Sequence, residues 1–199
     1  MQTVPSCPEH NNDKSRDDMY VLTQICMNAA SGENLAKAIF MRSVVGTLKR
    51  SPAFRAALNE DAEWMKGGAR RYKVDLGRFD SFFDGLCHAI FFERYGKRFD
   101  PRTHVMHHIY LSFQSDAPEE QARIATARSM MSTFFQAFED RIDYFEAAKI
   151  DEIVYANHIV DPVGERASIT IAHSFYGCFE VVSLLTAKIP PVFVGRHSV

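Results

Sequence analysis

Long apolar runs are what this sequence most plainly lacks. The longest, such as Val181 to Leu185 and Ala89 to Phe92, fall far short of the roughly 18 residues that a membrane-crossing helix needs. No basic start followed by an apolar segment opens the chain, because Met1 to Asp13 mixes Pro, Glu, His, Asn and Asp, so no secretory leader is read there. Cysteine is sparse: Cys7, Cys26, Cys87 and Cys178 stand far apart and no Cys-x-x-Cys pair occurs, which points to free thiols in a reducing compartment. These absences predict a cytoplasmic protein with no membrane association. Neither common Gly-rich phosphate loop is present, nor a His-Glu-x-x-His pattern, so nucleotide-dependent and peptidase chemistry have no positive support. A surplus of positive charge is missing too. Lys and Arg number 23 against 25 Asp and Glu, a formal charge of −2, so any surface for nucleic acid has to be local.

What is present fits a packed fold. The 199 residues are 46% hydrophobic and 24% charged, and a chain of this length buries roughly 70% of its extended surface without needing a disulfide or metal. Ser15, with Asp17 and Asp18 after it, reads as the cap of a helix from about Arg16 to Ala30. A second helical pattern runs from Glu33 to Leu48, and Ser51-Pro52 opens a third, short one to Leu58. Residues 59–71 read as a surface connection despite Trp64, with a brief strand at Tyr72 to Val74. From Asp75 the spacing of Leu76, Phe79, Phe82, Phe83, Leu86, Ile90 and Phe91 predicts a core helix ending near Tyr95-Gly96.

His104 to Phe113 reads as a strand, and Pro118-Glu119-Glu120 starts a long helix to about Phe138. Glu152 to Ile159, Ser168 to Phe175 and Cys178 to Leu185 then change to strand character. The expected fold is α+β: a helical N-terminal half joined to a small, mostly antiparallel sheet with a long helix crossing it. Residues 1–199 are expected to form one domain, with a weak subdivision near residue 96.

The most distinctive chemistry-bearing segment is Val4-Pro5-Ser6-Cys7-Pro8-Glu9-His10-Asn11-Asn12-Asp13-Lys14. It resembles the second half of the HNH endonuclease motif, in which a Val-Pro-like approach, a Cys-x-x-Cys zinc knuckle, and then Asn and Lys lead into a helix. Cys7, Asn11 and Lys14 stand at matching places, and His10 replaces the second cysteine. The following Ser15, Asp17, Asp18 and Tyr20, with Phe175-Tyr176-Gly177, look like a helical extension found on bacterial HNH-related proteins. The resemblance implies a zinc half-site at Cys7 and His10 and phosphate or DNA contact through Asn11, Lys14, Arg16, Arg70 and Arg71. It covers about 11 residues, and the motif's first half, with its general-base histidine, has no room before Val4. The expectation is therefore a truncated or inactive relative without a catalytic residue of its own. The residues alone allow an equally simple account, in which Asn11 to Asp13 form a polar turn ahead of a helix capped by Ser15.

Other groups carry further readings. His104, His107 and His108 form the only histidine cluster and are candidate metal or small-molecule ligands. In an extended strand, however, His104 and His108 point to one face and His107 to the other. Asp80 and Asp84 read as solvated acids, and so do Glu139 and Asp143 if the long helix continues that far. Cys87 and Cys178 read as small buried residues. Nothing in the sequence places an acidic partner beside His158 or His173. Besides the HNH-related reading, two alternatives stand: a structural or protein-interaction domain, with an exposed aromatic stripe at Phe79, Phe82 or Phe83 serving a homo-oligomer, and a metal- or small-molecule-binding domain at His104 to His108.

Overall fold

A computed structural model describes residues 8–29, 35–66, 68, 70–100, 102, 104–113, 117–137, 143–145, 155–160, 169–177 and 179–187. Helix α1 spans Pro8–Ala29 and so begins well before the expected start near Arg16. Proline suits the first helical turn because its fixed φ is already helical and its missing N–H is not needed there. From Glu9 to Lys14 the sequence holds neither proline nor glycine to stop the helix. Ser15 therefore lies inside α1 rather than capping it, and Asn11 to Asp13 are helical rather than a turn.

The second helical pattern is realised as α2 (Leu35–Ile39), a π-helical turn over Phe40–Val44, and α3 (Val45–Arg50). Helix α4 (Pro52–Asn59) follows, and Ser51 caps it by accepting a bond from the Phe54 amide at 3.4 Å. Two short strands, β1 (Glu63–Trp64) and β2 (Arg70–Arg71), pair antiparallel as a hairpin, so the strand expected at Tyr72 to Val74 sits earlier. Helix α5 (Leu76–Tyr95) has both of its expected ends. The Asp75 carboxylate accepts from the Arg78 amide, and Gly96 takes the left-handed conformation (φ 66°) that closes the last turn.

The remaining elements are β3 (His104–Tyr110), α6 (Pro118–Ala137), β4 (Asp143–Phe145), β5 (Tyr155–Val160), β6 (Ile169–Phe175) and β7 (Phe179–Ala187). Asp143 belongs to a strand, so it does not extend α6 as a helical partner of Glu139. The five strands form one antiparallel sheet in the order β3-β7-β6-β5-β4, which places β3 beside the last of the described strands. The expected class, α+β with a helical N-terminal half, an antiparallel sheet and a long helix against it, is the one observed. Among the described residues, no helix is long and apolar enough to cross a membrane.

Strand alternation divides the sheet into two faces. On one, Tyr110, Tyr155, Ile171, Phe175, Val181 and Leu185 pack with Phe79, Phe83 and Cys87 of α5 and with Tyr20, Val21 and Ile25 of α1. On the other, Leu111, Ala172 and Val182 pack with Met131 of α6. Tyr20 ties α1 to the start of α5, because its hydroxyl accepts from the Asp75 amide at 2.9 Å while Arg78 lies over its ring at 4.8 Å.

Phe79 and Phe83 are fully buried within the chain, and Phe82 packs against the same core. The aromatic stripe is thus an interior feature, and the exposed surface that the homo-oligomer reading requires is not formed by it. Phe83 lies over the middle of the sheet, with ring centroids 5.2 Å from His173, 5.8 Å from His108 and 5.7 Å from Tyr110. Truncation there leaves a cavity that neighbouring rings cannot fill. Phe83→Ala is expected to lower the unfolding free energy by about 3–5 kcal/mol, and Trp64→Ala, at 72% exposure, by less than about 1 kcal/mol, as measured by urea denaturation followed by far-UV circular dichroism.

Candidate functional site

The face of the sheet under α5 carries polar groups where an ordinary core would be apolar. His108 of β3, His173 of β6 and Ser183 of β7 all point to this side, and register brings them together: His108 pairs with Ser183, and His173 pairs with Val181 one step away. His173 and Ser183 are fully buried. Such groups are tolerated only when hydrogen-bonded, and here each one is.

Tyr155 OH lies 2.7 Å from His173 Nδ1, His173 Nε2 lies 2.9 Å from Ser183 Oγ, and Ser183 Oγ lies 2.8 Å from His108 Nδ1. His108 Nε2 then meets Asp84 Oδ1 at 3.0 Å. Burial lowers the His173 pKa to about 3, with the neighbouring His108 adding to the effect, so His173 is a neutral imidazole at ordinary pH. Burial likewise raises the Tyr155 pKa well above its usual value, with Cys87 contributing, which keeps the phenol protonated as a donor.

In one arrangement that satisfies every link, the protons run outward from Tyr155. There Tyr155 donates to His173 Nδ1, leaving Nε2–H to donate to Ser183. The serine hydroxyl donates to His108 Nδ1, and His108 Nε2–H donates to Asp84, whose side chain is half exposed. Cys87 of α5 touches the same chain, with Sγ 3.6 Å from His173 Nε2. Burial pushes its thiol pKa up to about 12 against the opposing Ser183 bond, so it is neither a thiolate nucleophile nor a ready metal ligand.

One turn earlier on α5, Asp80 accepts a 2.6 Å bond from Tyr110 OH. Burial, followed by the hydrogen bond to Asp80, raises the Tyr110 pKa and keeps that phenol protonated. Helix α5 thus offers two carboxylates at helical spacing, Asp80 and Asp84, and strand β3 answers with a donor to each.

Asp84, His108 and Ser183 are the residue types of a nucleophilic triad, but their arrangement differs in ways that matter. Ser183 is fully buried, and its hydroxyl is engaged by two imidazoles, His108 and His173. Its oxygen is out of reach of a substrate, so the group works as a hydrogen-bond link rather than a nucleophile.

His108 and Tyr110 also form part of the wall of an open cleft of about 1430 Å³. The β1–β2 hairpin, the end of α1, the start of α5 and the start of α6 complete it. Arg70 and Arg71 line this cleft from the hairpin, Asp80 from α5 and Arg123 from α6. Arg70 lies across from Trp64 in the hairpin, with its guanidinium 5.1 Å from the indole centroid and 5.6 Å from the Tyr72 ring. Some of the cleft charges satisfy one another, as in the Lys73–Asp61 pair at 3.6 Å and the Arg123–Glu120 pair at 2.9 Å.

The residues singled out from sequence fall into three groups. Cys7 lies outside the described residues, as does Cys178; His10, Asn11, Lys14 and Arg16 lie on α1, with side chains outside the described set. Arg70 and Arg71 are exposed on the cleft. His104, His107 and His108 do not converge: His104 packs at 5.0 Å from the Phe99 ring, His107 is exposed on the opposite face, and only His108 reaches the cleft wall. Among the described residues, no group of three or more His, Cys, Asp or Glu side chains is placed to hold a metal ion. The zinc expectation therefore rests on Cys7 and His10 alone.

Sequence reasoning misses Tyr155, His173 and Ser183, and it misreads Asp80 and Asp84, which are bonded to the sheet rather than simply solvated. A signal is nevertheless present. In Ile171-Ala172-His173-Ser174-Phe175 and Val181-Val182-Ser183-Leu184-Leu185, the inward alternation holds one polar residue among apolar ones in each strand. Comparisons with protein-family models, curated proteins and solved structures found no match to this chain.

The neutral buried imidazole sets a pH dependence. His173 has a lowered folded-state pKa, so the unfolded chain binds the extra proton between about pH 6.5 and about pH 3, and stability falls as the pH drops through that window. The expected slope approaches about 1.4 kcal/mol per pH unit from this group. Urea titrations of the wild type and of His173→Gln should show a shallower decline in the variant. Tyr155→Phe leaves His173 Nδ1 without its partner and is expected to cost about 1–3 kcal/mol at pH 7.

Proposed function

We propose that this chain is a small-molecule-binding domain whose ligand occupies the cleft between the β1–β2 hairpin and the α5–β3 wall. The supporting observation is the double anchoring of that wall: Tyr110 and His108 are each held by a carboxylate of α5, and His108 is also held from behind by Ser183. Fixed polar groups next to apolar side chains such as Phe113 and Ile124 are what a site needs to orient a small polar molecule. Both His108 ring nitrogens are already engaged and Ser183 is inside, which favours binding over nucleophilic chemistry. Asp80, with one oxygen bonded to Tyr110, and the hairpin arginines are the groups that would meet the ligand.

The test is a thermal-shift screen of acids, amines and neutral polar molecules, followed by titration of each hit. A ligand held at 100 times its Kd stabilises the native state by about 2.7 kcal/mol, a readily visible rise in Tm. True cleft ligands should lose affinity in both Arg71→Ala and Asp80→Asn. A broad library without one saturable hit, or hits indifferent to both variants, would refute the reading.

The HNH-related reading is a second proposal, in which the chain is a relative of those endonucleases and contacts DNA or phosphate. It draws on the Cys7 to Lys14 sequence and on the exposure of Arg70 and Arg71 on the cleft. A helix already running at Pro8 weighs against a turn-like knuckle, because His10 is then helical. Zinc stoichiometry of the purified protein decides: metal bound by the wild type and lost in Cys7→Ala supports it, and a folded, zinc-free wild type removes its chemical basis.

A further inference from the structure

The cations that line the cleft are not equally committed. Lys73 pairs with Asp61 at 3.6 Å and Arg123 with Glu120 at 2.9 Å, while Arg71 stands opposite Glu63 in the hairpin register. Arg70 stands opposite Trp64 instead. Its guanidinium lies 5.1 Å from the indole centroid and 5.6 Å from the Tyr72 ring, and among the described residues no acceptor bonds its N–H groups. We propose that the cleft ligand is a small organic anion, a carboxylate or a phosphate ester, whose charged group seats on the Arg70 fork while a hydrogen-bonding group at its other end meets the Gln24 amide. This rests on the cleft being a ligand site, as argued above, and adds the chemical class of the ligand.

Contact with a ring engages the face of a guanidinium and leaves its in-plane N–H donors pointing outward. The two aromatic contacts therefore hold Arg70 in place without satisfying its hydrogen bonds. A fork fixed in this way matches two oxygens of a carboxylate or phosphate, and it gives up less rotamer freedom on binding than an unsupported arginine does. Arg70 and Tyr72 line the cleft and Trp64 does not, so an anion can reach the fork from the cleft without displacing the indole.

A second group in the same cleft is independent of the hairpin. Gln24 of α1 is 4% exposed and lines the cleft, yet its amide has one partner among the described residues, Tyr20 OH at 3.4 Å. That bond serves one arm of the amide and leaves the other without a partner there. A buried amide bonded on one side only is costly unless something in the cleft completes it. The acids of the lining, Glu60, Glu63 and Asp80, disfavour a negative group placed away from the arginines, and this sets the orientation of the ligand. Its far end then meets Gln24 and the Asp80 carboxylate, so that end carries a hydroxyl, amide or amine.

The full chain is titrated with matched pairs that set an acid against its neutral counterpart: succinamate against succinamide, lactate against lactamide, and glycerol phosphate against glycerol, with inorganic phosphate as the bare anion. Each hit of the thermal-shift screen is paired in the same way with its ester, amide or alcohol. Binding is read by calorimetry and by the emission of Trp64, the sole tryptophan, whose indole lies against the Arg70 guanidinium. Anions should bind at least about tenfold more tightly than their neutral counterparts and change the Trp64 emission with the same midpoint. Arg70→Ala should weaken them by about 10- to 100-fold, and Arg70→Lys should recover only part of that loss. Gln24→Leu should weaken the anions that carry a hydroxyl or amide and leave inorganic phosphate unchanged. If Gln24→Leu does not fold by circular dichroism, the variants of the exposed Arg70 decide. Neutral compounds that bind as well as their acids, anions indifferent to Arg70→Ala but lost in Asp80→Asn, full recovery in Arg70→Lys, or indifference of the hydroxyl and amide anions to a folded Gln24→Leu would each overturn the inference and leave the cleft reading standing. The absence of any saturable binder would overturn both.

Discussion

A fully buried imidazole demands a partner for each of its two nitrogens, and much of this molecule follows from meeting that demand at His173. One nitrogen must accept and the other donate, because burial removes the doubly protonated form. Tyr155 from β5 meets one nitrogen and Ser183 from β7 the other, so strands on both sides of β6 are committed to a single register by a polar requirement as well as by apolar packing. A one-residue slip of either neighbour would turn its polar group to the other face and leave His173 unsatisfied. The consequence spreads outward, since Ser183 orients His108 and His108 fixes the hydrogen that Asp84 receives.

Aromatic packing and the polar chain occupy the same space and support each other. Phe83 covers both histidines, while Phe79 and Phe175 close the sides of the layer. Excluding water strengthens each hydrogen bond beneath the rings and raises the penalty for leaving any one of them unmade. Helix α5 therefore presents two kinds of side chain with separate tasks. Its phenylalanines fill volume, and Asp80 and Asp84 end the polar lines that reach α5 from the sheet.

Local features of the sequence carry much of this organisation. Asp75 and Gly96 bound α5 because a capping carboxylate and a left-handed glycine act within one turn, and the phenylalanine spacing marks its inward face. The alternation of β3 likewise separates His107 from His104 and His108, since a period of two is enough to assign their faces. The start of α1 is less legible, because Ser15 is a plausible cap but a helix continues through a cap residue when the preceding segment can also be helical. The site is hardest to read. Asp84 finds His108 24 positions along the chain, and His108 finds Ser183 a further 75 positions on, because β3 pairs with β7 rather than with a strand near it in sequence. Pairings of that range follow from how the sheet closes, which no local pattern records.

Trp64 is the sole tryptophan, and it stands on a two-residue strand of the β1–β2 hairpin, far more open to water than any ring of the core. Its indole is already largely hydrated in the native state, so intrinsic emission from this protein reports on the hairpin and on the guanidinium beside it. Among the described residues, the buried tyrosines Tyr20, Tyr110 and Tyr155 sit instead in asymmetric, closely packed surroundings. Loss of tertiary order will accordingly be seen in the tyrosine region of the near-ultraviolet dichroism, while tryptophan light changes little and can keep its native appearance after the interior has come apart.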